Sequence, residues 1–71
     1  MNIQERPEWQ QRVFQEKEEL DEWLRKLADF LEDDSKFESL TVEDQNLLIK
    51  QQQLMLDLSG VLGHHIARFG K

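Results

Sequence analysis

A ladder in the C-terminal half most constrains what this chain can fold into. Leu48, Gln51, Met55, Leu58, Leu62, His65 and Phe69 follow one another at alternating steps of three and four residues. That spacing is the a/d seam of an α-helix packed against other helices. A strand cannot use it, because its faces repeat every second residue. A second apolar row, Leu47, Leu54 and Val61, runs beside the first, and Ile66 widens it. One partner helix cannot cover both rows. The spacing predicts a helix from Val42 to Phe69 that is packed on more than one side.

The N-terminal half carries a second helical pattern. Pro7 suits the first turn of a helix, where its missing N–H is not needed, and Glu8 suits the positive end of the helix dipole. The predicted helix runs from Pro7 to Glu32, roughly 40 Å at 1.5 Å per residue. Its inner stripe reads Trp9, Val13, Leu20, Leu24, Leu27 and Leu31, with Trp23 and Phe30 on the flank, Lys17 in the stripe's gap and Phe14 off it. Residues 1–6 form a polar, flexible arm. Asp33, Asp34 and Ser35 break the periodicity. Ser35 and Glu38 stand at capping-box spacing, as do Thr41 and Asp44 in an Asp-bearing form. The expectation is a short helical turn from Ser35 to Leu40, with Phe37 and Leu40 plugging the core, then Thr41 capping the second long helix. Gly70 provides the stop. Ser59, Gly60 and Gly63 are small residues at the spacing of a tight helix crossing.

These elements define an all-α fold, an antiparallel two-helix hairpin with a short helical connection, occupying residues 7–71 as a single domain. A chain of 71 residues has a marginal core by itself. Each large apolar side chain left in water forgoes roughly 1.5–3 kcal/mol. The expected remedy is self-association into a homo-oligomeric helical bundle, a four-helix bundle with coiled-coil packing or a larger closed ring. Leu47, Leu54, Leu58, Val61, Leu62 and Phe69 are the expected oligomer interface.

Composition narrows the function. The chain has no cysteine, so disulfides and thiolate metal sites are out of reach. No apolar run approaches the ~20 residues of a membrane span. The first residues lack the apolar core of a signal peptide, so the expected location is the cytoplasm. A formal charge of −6 argues against a basic nucleic-acid surface. DNA mimicry would want carboxylates along one exposed face, whereas here they cluster mid-chain and at the connection. There is no Gly-rich phosphate loop before a helix and no tyrosine, and an enzyme is not expected. No cofactor is implied. His64 and His65 are adjacent on a helix and point about 100° apart, whereas helical metal pairs use i, i+4 spacing, so no metal site is expected.

The antiparallel arrangement gathers Arg6, Arg12, His64, His65, Arg68 and Lys71 at the open end of the hairpin. Asp33, Asp34, Glu38, Glu43 and Asp44 stand at the connection with Lys36. Complementing helix dipoles explains such a distribution, and so does an anion or phosphate site built from several chains. On the second reading the ligand residues are Arg12, His64, His65 and Arg68, with Trp9 as a stacking surface. Lys17 would be a cation facing a central cavity. The ordinary reading of Lys17 is a snorkelling stem or an intrahelical pair with Asp21. The ordinary reading of His65 is a hydrogen-bonded seam residue that fixes register with Gln51.

Gln11-Arg12-Val13, Glu16 to Asp21, Leu27 and Phe30-Leu31, followed by Gln52, Met55, Leu58-Ser59, Val61-Leu62-Gly63, Ile66-Ala67 and Phe69, resemble a family of very small proteins. Those proteins are encoded by tailed phages, crAss-like phages among them, and by prophages. The resemblance covers about residues 10–69. It departs at Leu58, where relatives carry an aromatic residue, and at His65, where they carry arginine. The architecture is similar to that of the phage anti-CBASS and anti-Thoeris sponges, oligomers that sequester cyclic-nucleotide or cyclic ADP-ribose alarm signals. The resemblance implies a phage counter-defence protein of the infected host's cytoplasm that holds such an anionic signal between chains. The alternative is a small homo-oligomeric interaction module that inhibits a host protein without any small-molecule ligand.

Overall fold

In a computed structural model, which describes residues 5–69, the chain forms three helices: α1, Glu8–Glu32; α2, Asp34–Glu38; and α3, Val42–Ala67. No strand occurs among the described residues. The expected arm is described only at Glu5 and Arg6; residues 1–4, the stop at Gly70 and Lys71 lie outside the described residues.

Local chemistry sets each boundary. Pro7 occupies the N-cap of α1 with no side-chain cap, and its carbonyl accepts from the N–H groups of Gln10 and Gln11. The Gln11 side chain turns back to donate to the Arg6 carbonyl at 2.7 Å. α1 ends where Asp33 takes an extended conformation. The structure corrects the expected cap of the short helix. Asp33, not Ser35, is its N-cap, accepting from the Lys36 N–H at 3.3 Å and from the Ser35 hydroxyl at 2.9 Å. Both bonds end on one carboxylate oxygen, and they, Ser35's foremost, hold the Asp33 carboxyl below its ordinary pKa. Thr41 caps α3 as expected, with its hydroxyl accepting from the Asp44 N–H at 3.1 Å. The Gln45 amide donates to the carbonyls of Phe37 and Leu40, stitching the connection to the first turn of α3. α3 stops at Ala67, and Arg68 and Phe69 follow in tight turns bonded to the carbonyls of His65 and Ile66.

α3 returns beside α1, so that Phe69 meets Trp9 and Phe14 edge-on, with centroids 5.3 and 5.6 Å away, while Ser59 meets Lys17. The Cα trace measures 47 × 16 × 15 Å, somewhat longer than either long helix alone and two helices wide. The inward ladder of α3 is Gln45, Leu48, Gln52, Met55, Ser59, Leu62, Ile66 and Phe69. It shares four members with the ladder seen in the sequence and replaces the others by their neighbours. Gln51, Leu58 and His65, expected on the seam, are exposed. Phe14, expected off the stripe, is half-buried, whereas Trp9 at its head is exposed on the rim. Only Leu24 and Leu62 are buried among the described residues. No helix among them is long and apolar enough to cross a membrane.

Candidate functional site

Three features hold chemistry. The first is a polar bridge at the middle of the α1–α3 contact. Lys17 donates to the Ser59 hydroxyl at 2.8 Å, to the Ser59 carbonyl at 3.4 Å and to the Asp21 carboxylate at 3.0 Å. Ser59 in turn donates to the other Asp21 oxygen at 2.6 Å. The three N–H donors of the ammonium are thereby engaged. The Ser59 hydroxyl, and after it Lys17, hold the Asp21 carboxyl below its ordinary pKa. Gly63 faces this arrangement: a Cβ there would sit 3.7 Å from the Lys17 stem, an ordinary van der Waals contact. A Cβ at Gly60 would meet nothing within 4 Å, so of the two glycines only Gly63 faces a close neighbour.

The second feature is the end where α1 begins and α3 finishes. Arg6 lies over the rings of Phe14 and Phe69, 5.7 and 5.8 Å from their centroids, and donates to the Gln10 side chain. This places a cation on an aromatic floor. Arg12 is exposed and pairs loosely with Glu8 at 3.7 Å. His64, His65 and Arg68 are exposed on the last turns of α3, with the His65 ring 6.4 Å from that of Phe69. These cations share one end of the molecule on an open surface. Lys17, which the sequence groups with them as a ligand residue, stands farther along α1 in the polar bridge.

The third feature is a pair of open grooves along α1. One, of about 580 Å³, is lined by Phe14, Lys17, Glu18, Asp21, Glu22, Arg25 and Ile66. Its neighbour, about 500 Å³, is lined by Gln15, Glu18, Glu19, Glu22 and Trp23. Arg25 pairs with Glu22 through both guanidinium and carboxylate forks, which holds the Glu22 carboxyl low. The second groove is acidic, whereas the first sets Lys17 and Arg25 among its three carboxylates. A shallow apolar hollow of about 320 Å³ lies on the far side of α3, over Leu47, Lys50, Gln51, Leu54, Met55 and Leu58.

Sequence reasoning missed the Ser59–Asp21 link and the Arg6 stacking. The first had a usable signal: Lys17 is the one charged break in the α1 stripe, and its antiparallel partner had to be polar. The second had none, because Phe14 looked peripheral.

These features describe a short, acidic, all-helical protein whose long helices, among the described residues, leave more large apolar side chains exposed than buried. Its sequence matches the family model described as Sequestin over residues 7–68, nearly the whole chain. The chain belongs to the Sequestin family. No curated protein and no solved structure matches it.

Proposed function

We propose that this protein is a phage accessory protein of counter-defence, an oligomeric sponge that sequesters an anionic, cyclic-nucleotide-type immune signal in the host cytoplasm and does not turn it over. The observation that carries the reading is the family match over residues 7–68, whose name speaks of sequestration. The physical support is the lack of an interior. With two buried side chains among the described residues, one hairpin has no enclosed space for a nucleotide, so a tight site has to form between chains. Arg12, His64, His65 and Arg68 would meet the phosphates, with Trp9 as a stacking face, because guanidinium forks fit phosphate oxygens and an indole offers a flat apolar surface.

Thermal-shift measurement of the purified protein against cyclic di- and trinucleotides and cyclic ADP-ribose isomers tests this. A tight ligand raises the melting temperature by mass action. Calorimetry should then show affinity reduced about tenfold, about 1.4 kcal/mol, by Arg12→Ala. Absence of binding to every one of these ligands would refute the sponge. One observation favours the second reading, a module that inhibits a host protein without a ligand. The groove beside Trp23 is walled by Glu18, Glu19 and Glu22, which repel phosphate and attract a basic protein surface.

A further inference from the structure

With its inner ladder turned toward α1, α3 still carries a complete second ladder at alternating steps of three and four. It runs from Asp44 to Arg68 with Leu47, Leu54, Leu58 and Val61 inside it, and all six side chains are exposed. Leu47 is 64% exposed and Leu58 50%. The two ladders sit about 100° apart, one residue step around the helix. A helix with two such seams has the surface of a four-helix-bundle member, which touches two neighbours. One neighbour is α1. The second is absent from a single chain.

We infer that the second neighbour is α3 of another copy, docked antiparallel about a two-fold axis, with Asp44 of each copy against Arg68 of the other. Charge decides the direction. A parallel pair sets Asp44 against Asp44 and Arg68 against Arg68, like charges at both ends of the seam, and aligns the two helix dipoles. Turning one copy around sets Leu54 opposite the partner's Leu58, Gln51 opposite Val61, Leu47 opposite His65 and Asp44 opposite Arg68. This register engages the whole ladder, and sliding by a heptad in either direction breaks both Asp44–Arg68 pairs. Each long helix then has antiparallel neighbours, as an up-down bundle requires. The contact is isologous and closes at two copies of the α3 face. This inference deepens the self-association in the proposed function and rests on it, but not on any ligand.

Because the chain has no cysteine, single introduced thiols report the geometry. Leu54→Cys and Leu58→Cys proteins, mixed and mildly oxidised, should give mainly the mixed disulfide. Predominant like-with-like disulfides would overturn the antiparallel direction. Asp44→Arg or Arg68→Asp alone should weaken self-association about tenfold in sedimentation equilibrium, since each breaks two symmetry-related pairs and adds two repulsions. The two together should restore it to within about twofold. Single reversals without effect, or a combination that fails to rescue, would overturn the register. Circular dichroism at high concentration checks that each variant is helical. A wild type that stays a folded monomer overturns this inference and the self-association beneath it. Nucleotide binding with the wrong cross-links overturns this inference alone.

Discussion

The two faces of α3 teach opposite lessons about what an apolar residue is for. The middle of the face turned toward α1 reads Gln52, Met55 and Ser59, and it is the contact the chain makes with itself. The middle of the face turned outward reads Leu54, Leu58 and Val61, and no part of the chain covers it. Polarity on the inner face is tolerated because it is paired: Ser59 and Lys17 satisfy one another and Asp21. Apolarity on the outer face has no compensating contact in the monomer. Where the less apolar face is the one that is folded, the more apolar face belongs to assembly. The inner face aligns the two helices, and the outer one supplies the burial that a pair of helices lacks.

The largest effect should separate Leu62 from Leu58. Leu62 is buried between α1 and α3, and Leu62→Asp puts an unpaired charge there. Helical circular dichroism should be lost at every concentration. Leu58→Asp charges the outward face, and should raise the concentration needed for a folded oligomer at least a hundredfold, about 2.7 kcal/mol, while leaving helicity recoverable at high concentration. If the two variants lose structure in the same way at all concentrations, the distinction between the faces fails.

This distinction is where the sequence ran out. Residues 48, 55, 62 and 69 belong to either of two ladders, one completed by Gln51, Leu58 and His65, the other by Gln52, Ser59 and Ile66. Periodicity accepts both. Hydrophobicity favours Leu58 over Ser59, and led to the wrong partner for α1. What decides the matter is Lys17 on the other helix, which needs polar groups opposite it. Helix identity and the Thr41 cap were legible because they depend on neighbouring residues. The direction of each α3 face was not, because it depends on a pairing 42 residues away in sequence. The same limit applies to the site. The sequence brings Arg12 and Arg68 to one end, and the structure puts both on open surface. A pocket that needs two chains is not written in one.

The inner bridge should be smaller in effect and sensitive to acid. Ser59→Ala removes a hydroxyl that both accepts and donates, and should cost roughly 0.5–1.5 kcal/mol in melting experiments. Asp21 is half exposed, so solvent screening keeps its own share toward the low end of the range for surface pairs. Its carboxyl is held below the ordinary value, so its contribution is complete above about pH 4 and is lost as pH falls through the depressed value. Asp21→Asn should therefore flatten the acid limb of the stability curve and leave it unchanged at neutral pH except for a constant offset. An unaltered acid limb would mean that the bridge contributes nothing to the inner face.

Gly60 tests the inner face from its edge. Nothing lies within reach of a Cβ there in one chain, so Gly60→Ala should gain roughly 0.5–1 kcal/mol from helix propensity. Gly63→Ala should gain a similar amount, because the new methyl meets the Lys17 stem at 3.7 Å, an ordinary van der Waals contact. If Gly60→Ala instead weakens the oligomer, a second chain approaches α3 at that point and the outer face is wider than the seam from Asp44 to Arg68.

The smallest effect should come from Asp57. It flanks the outward ladder between Leu54 and Leu58, and an antiparallel two-fold pairing brings it close to its own copy beside the axis. Two exposed carboxylates there repel by a few tenths of a kcal/mol at low ionic strength. Asp57→Asn should tighten self-association about twofold at low salt and lose its advantage as salt screens the pair. The monomer should be indifferent, since Asp57 makes no ion pair among the described residues. A parallel pair would instead set the two carboxylates on opposite edges of the seam, so this variant is read beside the charge exchange at Asp44 and Arg68. With that exchange establishing direction, a salt-dependent gain from Asp57→Asn locates the axis near the middle of α3. No gain at any ionic strength would place the axis elsewhere and shift the pairing by at least one turn.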